Sequence, residues 1–371
     1  MAHDARSLVV FGARGADPRA SAWPTVTVDA APVRCGLVPA AEPRFDPGDP
    51  ANARRVLVRV RAVSCNYRDR SFISLMARVP AARYSAVGSD FVADVVAAGP
   101  AVTTLAAGDR VVPDHHFTGA GDERDGVREG VATNQASRAY HVLDERKLVR
   151  VPAGMRDEAA AAVGIGAQTA YGIARRLAPE PGARVLVTSA SSNTALFVLG
   201  ALARRGVRAV AATSSARFAD RLRSLGAESV VPTGREAIVA AARRVGGFDF
   251  VVDPFFDLHL MAAVEALRPF GTYVTCGLAG QTEHAARAAG AAGPLEVRDV
   301  MAYAMTKNLT LVGNCLGLTA DLERALADHA AGALPVTVDS VFERDADAAA
   351  FLDRTFNSRE RFGKVVFRYA A

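Results

Sequence analysis

Residues 185–198, VLVTSASSNTALFV, form the segment that decides the fold of this chain. The three aliphatic residues at its start are typical of a buried strand, and the small polar residues after them lead into an apolar stretch typical of a helix. The unpaired N–H groups and the dipole at the start of such a helix attract phosphate, which predicts a site for the diphosphate of a dinucleotide. Ser189, Ser192, Asn193 and Ala195 stand where a glycine-rich fingerprint would place glycine. Their Cβ atoms narrow the space for a phosphate, so the sequence leaves open how tightly this turn holds a nucleotide.

The segments on either side indicate two domains. From about residue 155 to residue 276, predicted helices and strands alternate, a pattern typical of a doubly wound parallel sheet. The first 150 residues are rich in β structure, with alternating strands at 56–63 and 91–98. We therefore predict an α/β protein in which a β-rich substrate domain, 1–154 and 305–371, is interrupted by a nucleotide-binding domain, 155–304.

Composition and charge exclude several classes of protein. The 371 residues are 50% hydrophobic and 22% charged, an ordinary profile for a globular chain long enough for two cores. The net charge of +5 comes without a dense cluster of lysine and arginine, which argues against a nucleic-acid site. No apolar run reaches the ~18 residues of a membrane span, and the N-terminus lacks the apolar core of a signal peptide. The four cysteines are too scattered for a zinc lobe or a disulfide framework, so we expect a cytoplasmic protein.

Several short motifs occur in a fixed order along the chain: residues 60–69 (VRAVSCNYRD), 88–91 (GSDF), 108–111 (GDRV), 168–171 (QTAY) and 361–366 (RFGKVV). Together with the serine-rich turn, they resemble the medium-chain dehydrogenase/reductase superfamily, and within it the zinc-independent branch of quinone-oxidoreductase-like proteins. The resemblance implies a GroES-like substrate domain and a Rossmann nucleotide-binding domain. It also implies a small-molecule substrate and a homodimer joined through the sheets of the nucleotide-binding domains.

No metal site is predicted. Zinc-dependent members of this superfamily carry cysteine at the position of Asn66 and a Gly-His-Glu triplet at residues 88–90, which read Gly-Ser-Asp here. Zinc prefers thiolate and imidazole ligands to amide and hydroxyl groups. Cys65 is one position away from the ligand position, which on an alternating strand directs it to the opposite face.

The predicted cofactor is NADPH. Thr213, Ser214 and Ser215 follow a predicted strand where NAD-binding proteins carry an acidic residue, and Arg217 and Arg221 are close by. Hydroxyl and guanidinium groups suit a 2′-phosphate, and a serine here is also suited to cap a helix. The resemblance places further candidates at the serine-rich turn and where relatives surround the nicotinamide. For Cys276, the interpretation as a buried, unreactive thiol is favoured. The predicted cofactor-binding residues are Thr169, Ser189, Ser191, Ser192, Asn193, Thr194, Thr213, Ser214, Ser215, Arg217, Cys276, Gly277 and Asn314.

Without a metal, the predicted chemistry is direct hydride transfer to an electron-poor carbon of an enone, an enoyl compound or a quinone. Tyr67 is the predicted proton donor, because the resemblance places its segment along the active-site cleft and a phenol can hydrogen-bond an enolate. A packing role for Tyr67 is the alternative. Asn66 would donate an amide hydrogen bond to the same oxygen, and Asp69 would orient the segment through its backbone. His116, beside His115, would deliver protons unless the pair is a surface feature.

Three functions are compatible with these residues. We expect an NADPH-dependent reductase. The missing glycines favour a different possibility, a non-catalytic scaffold of the same fold with weakened nucleotide binding, and a zinc-free alcohol or carbonyl oxidoreductase is the third. The sequence does not name the substrate. An N-terminal extension of roughly 20 residues and the glycine-rich loop at 117–136 are expected to shape its pocket.

Overall fold

The computed structural model describes residues 5–12, 23–78, 84–118, 127–280 and 297–370. The chain divides into two compact units: unit 1 contains Met1–Ile165 and Val336–Ala371, and unit 2 contains Gly166–Pro335. The boundaries predicted from the sequence lie after residues 154 and 304. The second boundary lies later in the chain in the structure, because the segment after residue 304 adds a strand to the sheet of unit 2. Within the described ranges, none of the helices combines the length and the apolar character needed to cross a membrane.

Unit 1 contains a four-stranded antiparallel sheet with the strand order β2-β3-β1-β5. Its strands are β1 (Arg6–Phe11), β2 (Thr25–Val28), β3 (Ala31–Pro39) and β5 (Tyr84–Ala86). β1 lies inside this sheet, and its Leu8 and Val10 are fully buried. The part of the N-terminal segment that the structure describes, which we expected to shape a pocket, therefore belongs to the core of unit 1.

The second sheet of unit 1 has the strand order β16-β17-β4-β6-β7-β9, and β8 pairs with β4 as well. Its strands are β4 (Arg55–Ser64), β6 (Asp90–Ala98), β7 (Arg110–Pro113), β8 (Tyr140–Asp144), β9 (Leu148–Arg150), β16 (Val338–Phe342) and β17 (Lys364–Arg368). The strands predicted at 56–63 and 91–98 are confirmed as β4 and β6. Ser64 of β4 pairs with Asp90, and Val63 pairs with Phe367 of the antiparallel β17. The end of β4 therefore lies beside the starts of β6 and β17.

Two helices pack with these sheets, α1 (Asp69–Arg78) and α9 (Ala348–Phe356). Residues from both sheets and both helices form one hydrophobic core, in which Val63, Phe91 and Phe351 are inaccessible to solvent. The ring of Phe351 meets that of Phe367 edge to face, with centroids 5.7 Å apart. Burial of these large apolar side chains supplies most of the driving force for folding unit 1.

Helix α2 (Asp157–Leu177) consists of two helical segments joined across a kink. It is kinked at Gly164, where φ is −25° and ψ is −110°. A Cβ at Gly164 would lie 2.1 Å from Oδ1 of Asp90, and the backbone N–H of Ile165 donates to that oxygen at 2.9 Å. The kink therefore allows a carboxylate to approach the helix backbone, which only glycine permits here.

Unit 2 contains a six-stranded parallel sheet with the strand order β12-β11-β10-β13-β14-β15. Its strands are β10 (Val185–Val187), β11 (Ala209–Thr213), β12 (Ala227–Pro232), β13 (Phe248–Asp253), β14 (Leu267–Thr275) and β15 (Thr310–Gly313). The helices that alternate with them include α3 (Asn193–Ala203), α4 (Ala219–Ser224), α5 (Arg235–Val245), α6 (Phe256–Ala266), α7 (Val297–Lys307) and α8 (Thr319–Ala330). Numbered within the unit, the strand order is 3-2-1-4-5-6, that of a Rossmann fold. The predicted doubly wound sheet is confirmed.

The parallel sheet positions the predicted cofactor residues. Because all its strands run in one direction, their carboxyl ends meet at one edge, where such folds bind ligands. Most of the segments predicted to bind the cofactor follow β10, β11, β14 and β15, so the fold brings them to this edge. Of the predicted loop at 117–136, residues 119–126 lie outside the described part of the chain.

Candidate active site

A buried lysine organises the polar cluster of unit 1. Lys364, at the start of β17, is only 1% exposed, and its Nζ donates hydrogen bonds to Asn66 Oδ1 at 2.6 Å and Asp90 Oδ2 at 3.2 Å. This position follows from the pairing of β4 with β6 and β17 described above. Lys364 is not among the site residues predicted from the sequence, although a lysine inside the apolar run Phe362–Phe367 is a signal of a buried, partnered charge.

Asp90 is the anion of the cluster. Besides Lys364, its carboxylate accepts hydrogen bonds from Asn66 Nδ2 at 2.6 Å and from the backbone of Ile165. His115 is fully buried, and its Nε2 lies 3.1 Å from Asp90 Oδ1, the oxygen that also accepts from Ile165. Burial alone would raise the pKa of Asp90, but the charge of Lys364 and these hydrogen bonds outweigh it and hold the pKa well below its usual range.

Two hydrogen bonds define the tautomer of His115. Its Nδ1 accepts a hydrogen bond from the backbone N–H of Ala132 at 3.2 Å, so the ring hydrogen is on Nε2 and points at Asp90. The structure therefore places His115 in the cluster. His116, the predicted proton carrier, is half-buried, and its backbone N–H donates to Asp114 Oδ1 at 3.0 Å.

Asn66 and Asp69 fix the segment that follows β4. The side chain of Asn66 donates to Ser89 Oγ at 3.0 Å, and Ser89 in turn donates to Asp69 Oδ2 at 2.8 Å. The backbone N–H of Asn66 donates to the same carboxylate at 2.7 Å, which is the backbone contact predicted for Asp69. Burial raises the pKa of Asp69 despite these contacts and the nearby Arg68. Both ends of the Asn66 amide are thus used within the cluster, and the hydrogen bond from Asn66 to a substrate oxygen stays a prediction.

Tyr67 lies next to a guanidinium group. The side chain is half-buried, and Arg70 Nη1 donates to its hydroxyl oxygen. The Arg70 guanidinium also lies over the ring, 5.3 Å from its centroid. A phenol that accepts from a cation can still donate through its own O–H, so the predicted role of Tyr67 is compatible with this arrangement.

The donor atoms of this cluster are poorly suited to zinc. Asn66 and Ser89 offer an amide and a hydroxyl, and the ammonium of Lys364 lies against the Asp90 carboxylate. Cys65 is buried, which raises the pKa of its thiol well above the ordinary value. Across the ranges that the structure describes, no group of three or more histidine, cysteine or acidic side chains could hold a metal ion.

In unit 2, the serine-rich turn has the backbone shape that glycine would normally supply. Ser189 has a φ of +46°, in the left-handed region, and its Oγ lies 3.0 Å from Nε2 of His259. Ser192 is the N-cap of α3, and its side chain accepts from the backbone N–H of Ala195 at 3.4 Å. The hydroxyls of these two residues therefore have partners within the unit.

Asn193 points away from solvent. It is 8% exposed, and its Nδ2 would lie only 2.6 Å from a Cβ placed at Gly166 of α2, so its side chain packs toward that helix. Ser191, which precedes the N-cap of α3, and Thr194, in its first turn, are half-buried. The side chains that replace the glycines are thus held by neighbouring residues, and the helix start retains a backbone suited to phosphate.

The turn after β11 presents hydroxyl and guanidinium groups. Thr213 is buried, and its Oγ1 accepts from the backbone N–H of Ser215 at 3.3 Å. Ser215 occupies the N-cap position of the short helix that follows, but its side chain makes no capping hydrogen bond. Ser214 and Arg217 are exposed, and the Arg217 guanidinium lies 4.6 Å from the centroid of the Phe218 ring.

The remaining predicted cofactor residues also belong to unit 2. Asn314 donates to the Leu316 carbonyl at 2.9 Å and accepts from Arg176 at 2.8 Å, so its amide has a structural role. Burial raises the pKa of Cys276 to about 12, as expected of an unreactive thiol. A Cβ at Gly277 would lie 2.5 Å from the Pro254 carbonyl oxygen. Thr169 is 4% exposed in α2.

Two further polar residues lie at this edge, Asp253 and His259, and neither was predicted from the sequence. Asp253 ends β13, is fully buried, and accepts from Thr188 Oγ1 at 2.5 Å and from the Tyr273 hydroxyl at 2.8 Å. Burial raises its pKa in spite of these contacts and of the nearby His259. The sequence does contain a signal for a polar site here: an acidic residue ends a predicted buried strand, and a histidine follows it six residues later.

Two family models match this chain. One, described as the alcohol dehydrogenase GroES-like domain, matches residues 52–153, and the other, described as zinc-binding dehydrogenase, matches residues 194–331. The first range lies within unit 1, and the second lies within unit 2 and begins after β10.

Curated relatives agree with these models. Erythronolide synthase EryA2 of Saccharopolyspora erythraea is 32% identical over 64% of this chain and 6% of its own length. Acryloyl-coenzyme A reductase of Metallosphaera sedula is 25% identical over 84% of this chain and 91% of its own length. The chain spans a tenth or less of the length of the first three curated relatives that it matches.

Solved structures share the fold. The crystal structure of an NAD-dependent alcohol dehydrogenase superposes with a TM-score of 0.75 at 23% identity, covering 98% of this chain and all of the other. The family models, the relatives and the fold lead to one conclusion: the chain belongs to the medium-chain dehydrogenase/reductase superfamily of oxidoreductases.

Proposed function

We propose that this chain is a reductase that uses NADPH, without a catalytic metal, to transfer a hydride to an activated carbon–carbon double bond or to a quinone. The observation that carries the proposal is the contact of the Lys364 ammonium with Asn66 and Asp90. The ammonium already neutralises the carboxylate, and its charge repels a divalent cation. The similarity to acryloyl-coenzyme A reductase supports conjugated thioesters as the first substrates to assay.

The residues of unit 2 fit a nicotinamide dinucleotide. The backbone at residues 191–194 would hold the diphosphate at the start of α3, and Ser214 with Arg217 would hold the 2′-phosphate. Bound NADPH would supply a hydride to the electron-poor carbon. The exposed hydroxyl and guanidinium groups after β11, where a carboxylate would favour NADH, support NADPH as the cofactor.

The chain's own contribution to the reaction is proposed for Tyr67. Its hydroxyl would donate a hydrogen bond to the carbonyl oxygen of the substrate and stabilise the enolate that forms there. If the phenol gives up its proton, the Arg70 guanidinium stabilises the negative charge on the phenolate oxygen. Asp69 and Lys364 hold the backbone and side chain of Asn66, the residue before Tyr67, in one position.

The proposal includes a homodimer formed through unit 2. β15 is the last strand of the parallel sheet, and its Leu311 is 41% exposed. Met301 and Met305 of α7 add further exposed apolar surface, at 55% and 73% exposure.

A cytoplasmic location is also part of the proposal, and the four free cysteines support it because thiols persist in a reducing compartment.

A direct assay tests the proposed activity. The purified full chain is mixed with NADPH and, in separate reactions, a 2-enoyl thioester, a cyclic enone and a naphthoquinone, with and without EDTA. We expect NADPH oxidation with at least one of these classes, at a rate that EDTA leaves unchanged. Absence of both turnover and NADPH binding at millimolar concentration would overturn the reductase and favour the scaffold. Loss of activity in EDTA that zinc restores would overturn the metal-free mechanism.

A further inference from the structure

A serine and a histidine contact each other at the carboxyl edge of the sheet in unit 2. Ser189 follows β10 by two residues, and its Oγ lies 3.0 Å from Nε2 of His259 in α6. Both side chains retain some exposed surface. Ser189 also has a φ of +46°, a conformation that is uncommon for residues with a side chain and that occurs preferentially at functional sites.

Two carboxylates act on His259 through their charges. Asp253 ends β13, and Asp257 lies in the first turn of α6. The Asp253 oxygens accept from Thr188 and Tyr273, whereas Asp257 accepts from two backbone N–H groups after β14. Burial lowers the pKa of His259, and the two carboxylates only partly oppose this. The imidazole is therefore mainly neutral at pH 7 and responds to any further charge placed beside it.

We propose that Ser189 and His259 form a proton-dependent ligand for the diphosphate of the bound dinucleotide, a role that rests on the nucleotide site of the proposed function. When the imidazole is neutral with its hydrogen on Nδ1, the Ser189 hydroxyl donates to Nε2. When the imidazole is protonated, Nε2–H donates to Ser189 Oγ instead. The serine hydrogen can then turn to an anionic oxygen, and the imidazolium adds a positive charge near the start of α3.

Both changes favour an anion, so affinity and protonation are linked. A diphosphate bound beside His259 raises the pKa of the imidazole, and binding therefore takes up a proton. Between the pKa of free His259 and that of the complex, the dissociation constant changes by up to tenfold per pH unit. We expect binding to be about tenfold weaker at pH 8 than at pH 6.

The experiment uses the full chain and ADP-ribose as the probe. ADP-ribose retains the diphosphate and lacks the 2′-phosphate of NADPH, whose own ionisation near pH 6 would obscure the effect. Calorimetric titrations at pH 6, 7 and 8 compare the wild type with His259→Gln and Ser189→Ala, and His329→Gln of α8 is the matched control. We expect the wild type and the control to lose about tenfold in affinity from pH 6 to pH 8. The affinity of His259→Gln should be the same at all three pH values, and as weak as that of the wild type at pH 8. Ser189→Ala should weaken binding at pH 6 more than at pH 8.

A second measurement needs no variant. Titration of the wild type at pH 6.5 in two buffers of different ionisation enthalpy measures the protons taken up on binding, and a positive uptake is expected. Zero uptake, an affinity that does not change with pH, or an unchanged pH dependence in His259→Gln each overturns the proton-dependent ligand while leaving the nucleotide site in place. If neither ADP-ribose nor NADPH binds at any pH, the nucleotide site of the proposed function fails, and this inference fails with it.

Discussion

Lys364 Nζ lies 3.2 Å from Asp90 Oδ2 in the interior of unit 1, and the two side chains are only 2% and 1% exposed. Moving two such charges out of water costs several kcal/mol for each ion, which their attraction offsets only if the remaining hydrogen bonds are satisfied. Here Asn66, His115 and the backbone of Ile165 satisfy them. The pair therefore depends on the whole cluster, and removing one partner leaves a buried charge.

Lys364→Met should destabilise the protein by about 3–5 kcal/mol, because the Asp90 carboxylate would stay buried without its cation. Asp90→Asn should cost a similar amount, since it leaves the ammonium unpaired. The double variant removes both charges, so its loss should be smaller than the sum of the single losses. Urea unfolding of the full chain measures all three. Arg223→Met, at a side chain that is 51% exposed, is the control and should change stability by less than about 0.5 kcal/mol. Additive losses in the double variant would contradict the pairing.

The loss of stability that Asp90→Asn causes should depend on pH, since the pKa of Asp90 is lowered in the folded protein. Because the folded state lowers this pKa, the ionised carboxylate stabilises the fold at every pH above its unfolded value of about 3.9. That contribution is lost as the pH falls below about 4 toward the folded pKa. The stability difference between the wild type and Asp90→Asn should thus be constant from pH 7 to about pH 5 and decrease below about pH 4. A difference that already shrinks near pH 6 would show that another group titrates.

Gly164→Ala should destabilise unit 1 by about 1–3 kcal/mol, because its Cβ would lie 2.1 Å from the Asp90 carboxylate and force the kink or the cluster to move. Gly234→Ala is a matched control, since a Cβ there has no neighbour within 4 Å and φ is −65°. Thermal unfolding of the two variants compares them directly. Equal stability of Gly164→Ala and the wild type would mean that the carboxylate does not need this approach to the helix.

The fold could be predicted from the sequence because its periodicity is local. Alternating apolar residues at 56–63 and the strand–turn–helix pattern at 185–198 depend on neighbours within one element, and both were confirmed. The membership of the N-terminal strand β1 in a sheet could not be predicted in this way, because its partners are Ala31–Pro39 and Tyr84–Ala86.

The candidate site was predicted only in part, for a similar reason. Asn66 and Asp69 lie in one motif, and their backbone contact was expected from it. Lys364 is 298 residues from Asn66, and nothing in the local sequence of either residue indicates that their side chains meet. His115 and His116 are neighbours in the sequence, and which of them turns inward is decided by Asp90 and Ala132 in other segments.

Tyr67→Phe should lower kcat by about 100-fold or more with little change in KM, because a proton donor acts mainly in the transition state. The assay is NADPH oxidation with the best acceptor found for the wild type. Tyr84→Phe, at an exposed tyrosine of the same unit, should keep wild-type kinetics. If Tyr67→Phe retains full kcat, Tyr67 only packs, and the proton comes from another group or from solvent.

Leu311→Lys should convert the proposed homodimer to a monomer, because it places a charge on the exposed edge strand β15. Light scattering coupled to gel filtration measures the mass of the assembly. Leu75→Lys is the control, since Leu75 is 63% exposed on α1 of unit 1 and the interface is proposed on unit 2. A dimer that survives Leu311→Lys, or a wild type that is monomeric, would contradict an interface at β15.

Arg217→Ala should weaken NADPH binding by about 10–100-fold, the equivalent of one or two hydrogen bonds from a charged group, and leave NADH binding unchanged. Only NADPH carries the 2′-phosphate that Arg217 would contact, so the ratio of the two affinities isolates this contribution. Arg223→Ala is a matched control on α4, because Arg223 pairs with Asp220 at 2.7 Å. Fluorescence titration with each cofactor at constant ionic strength measures the change, and higher salt should reduce the preference for NADPH since screening weakens exposed charges most. An equal loss for both cofactors would mean that Arg217 supports the turn after β11 without recognising the phosphate.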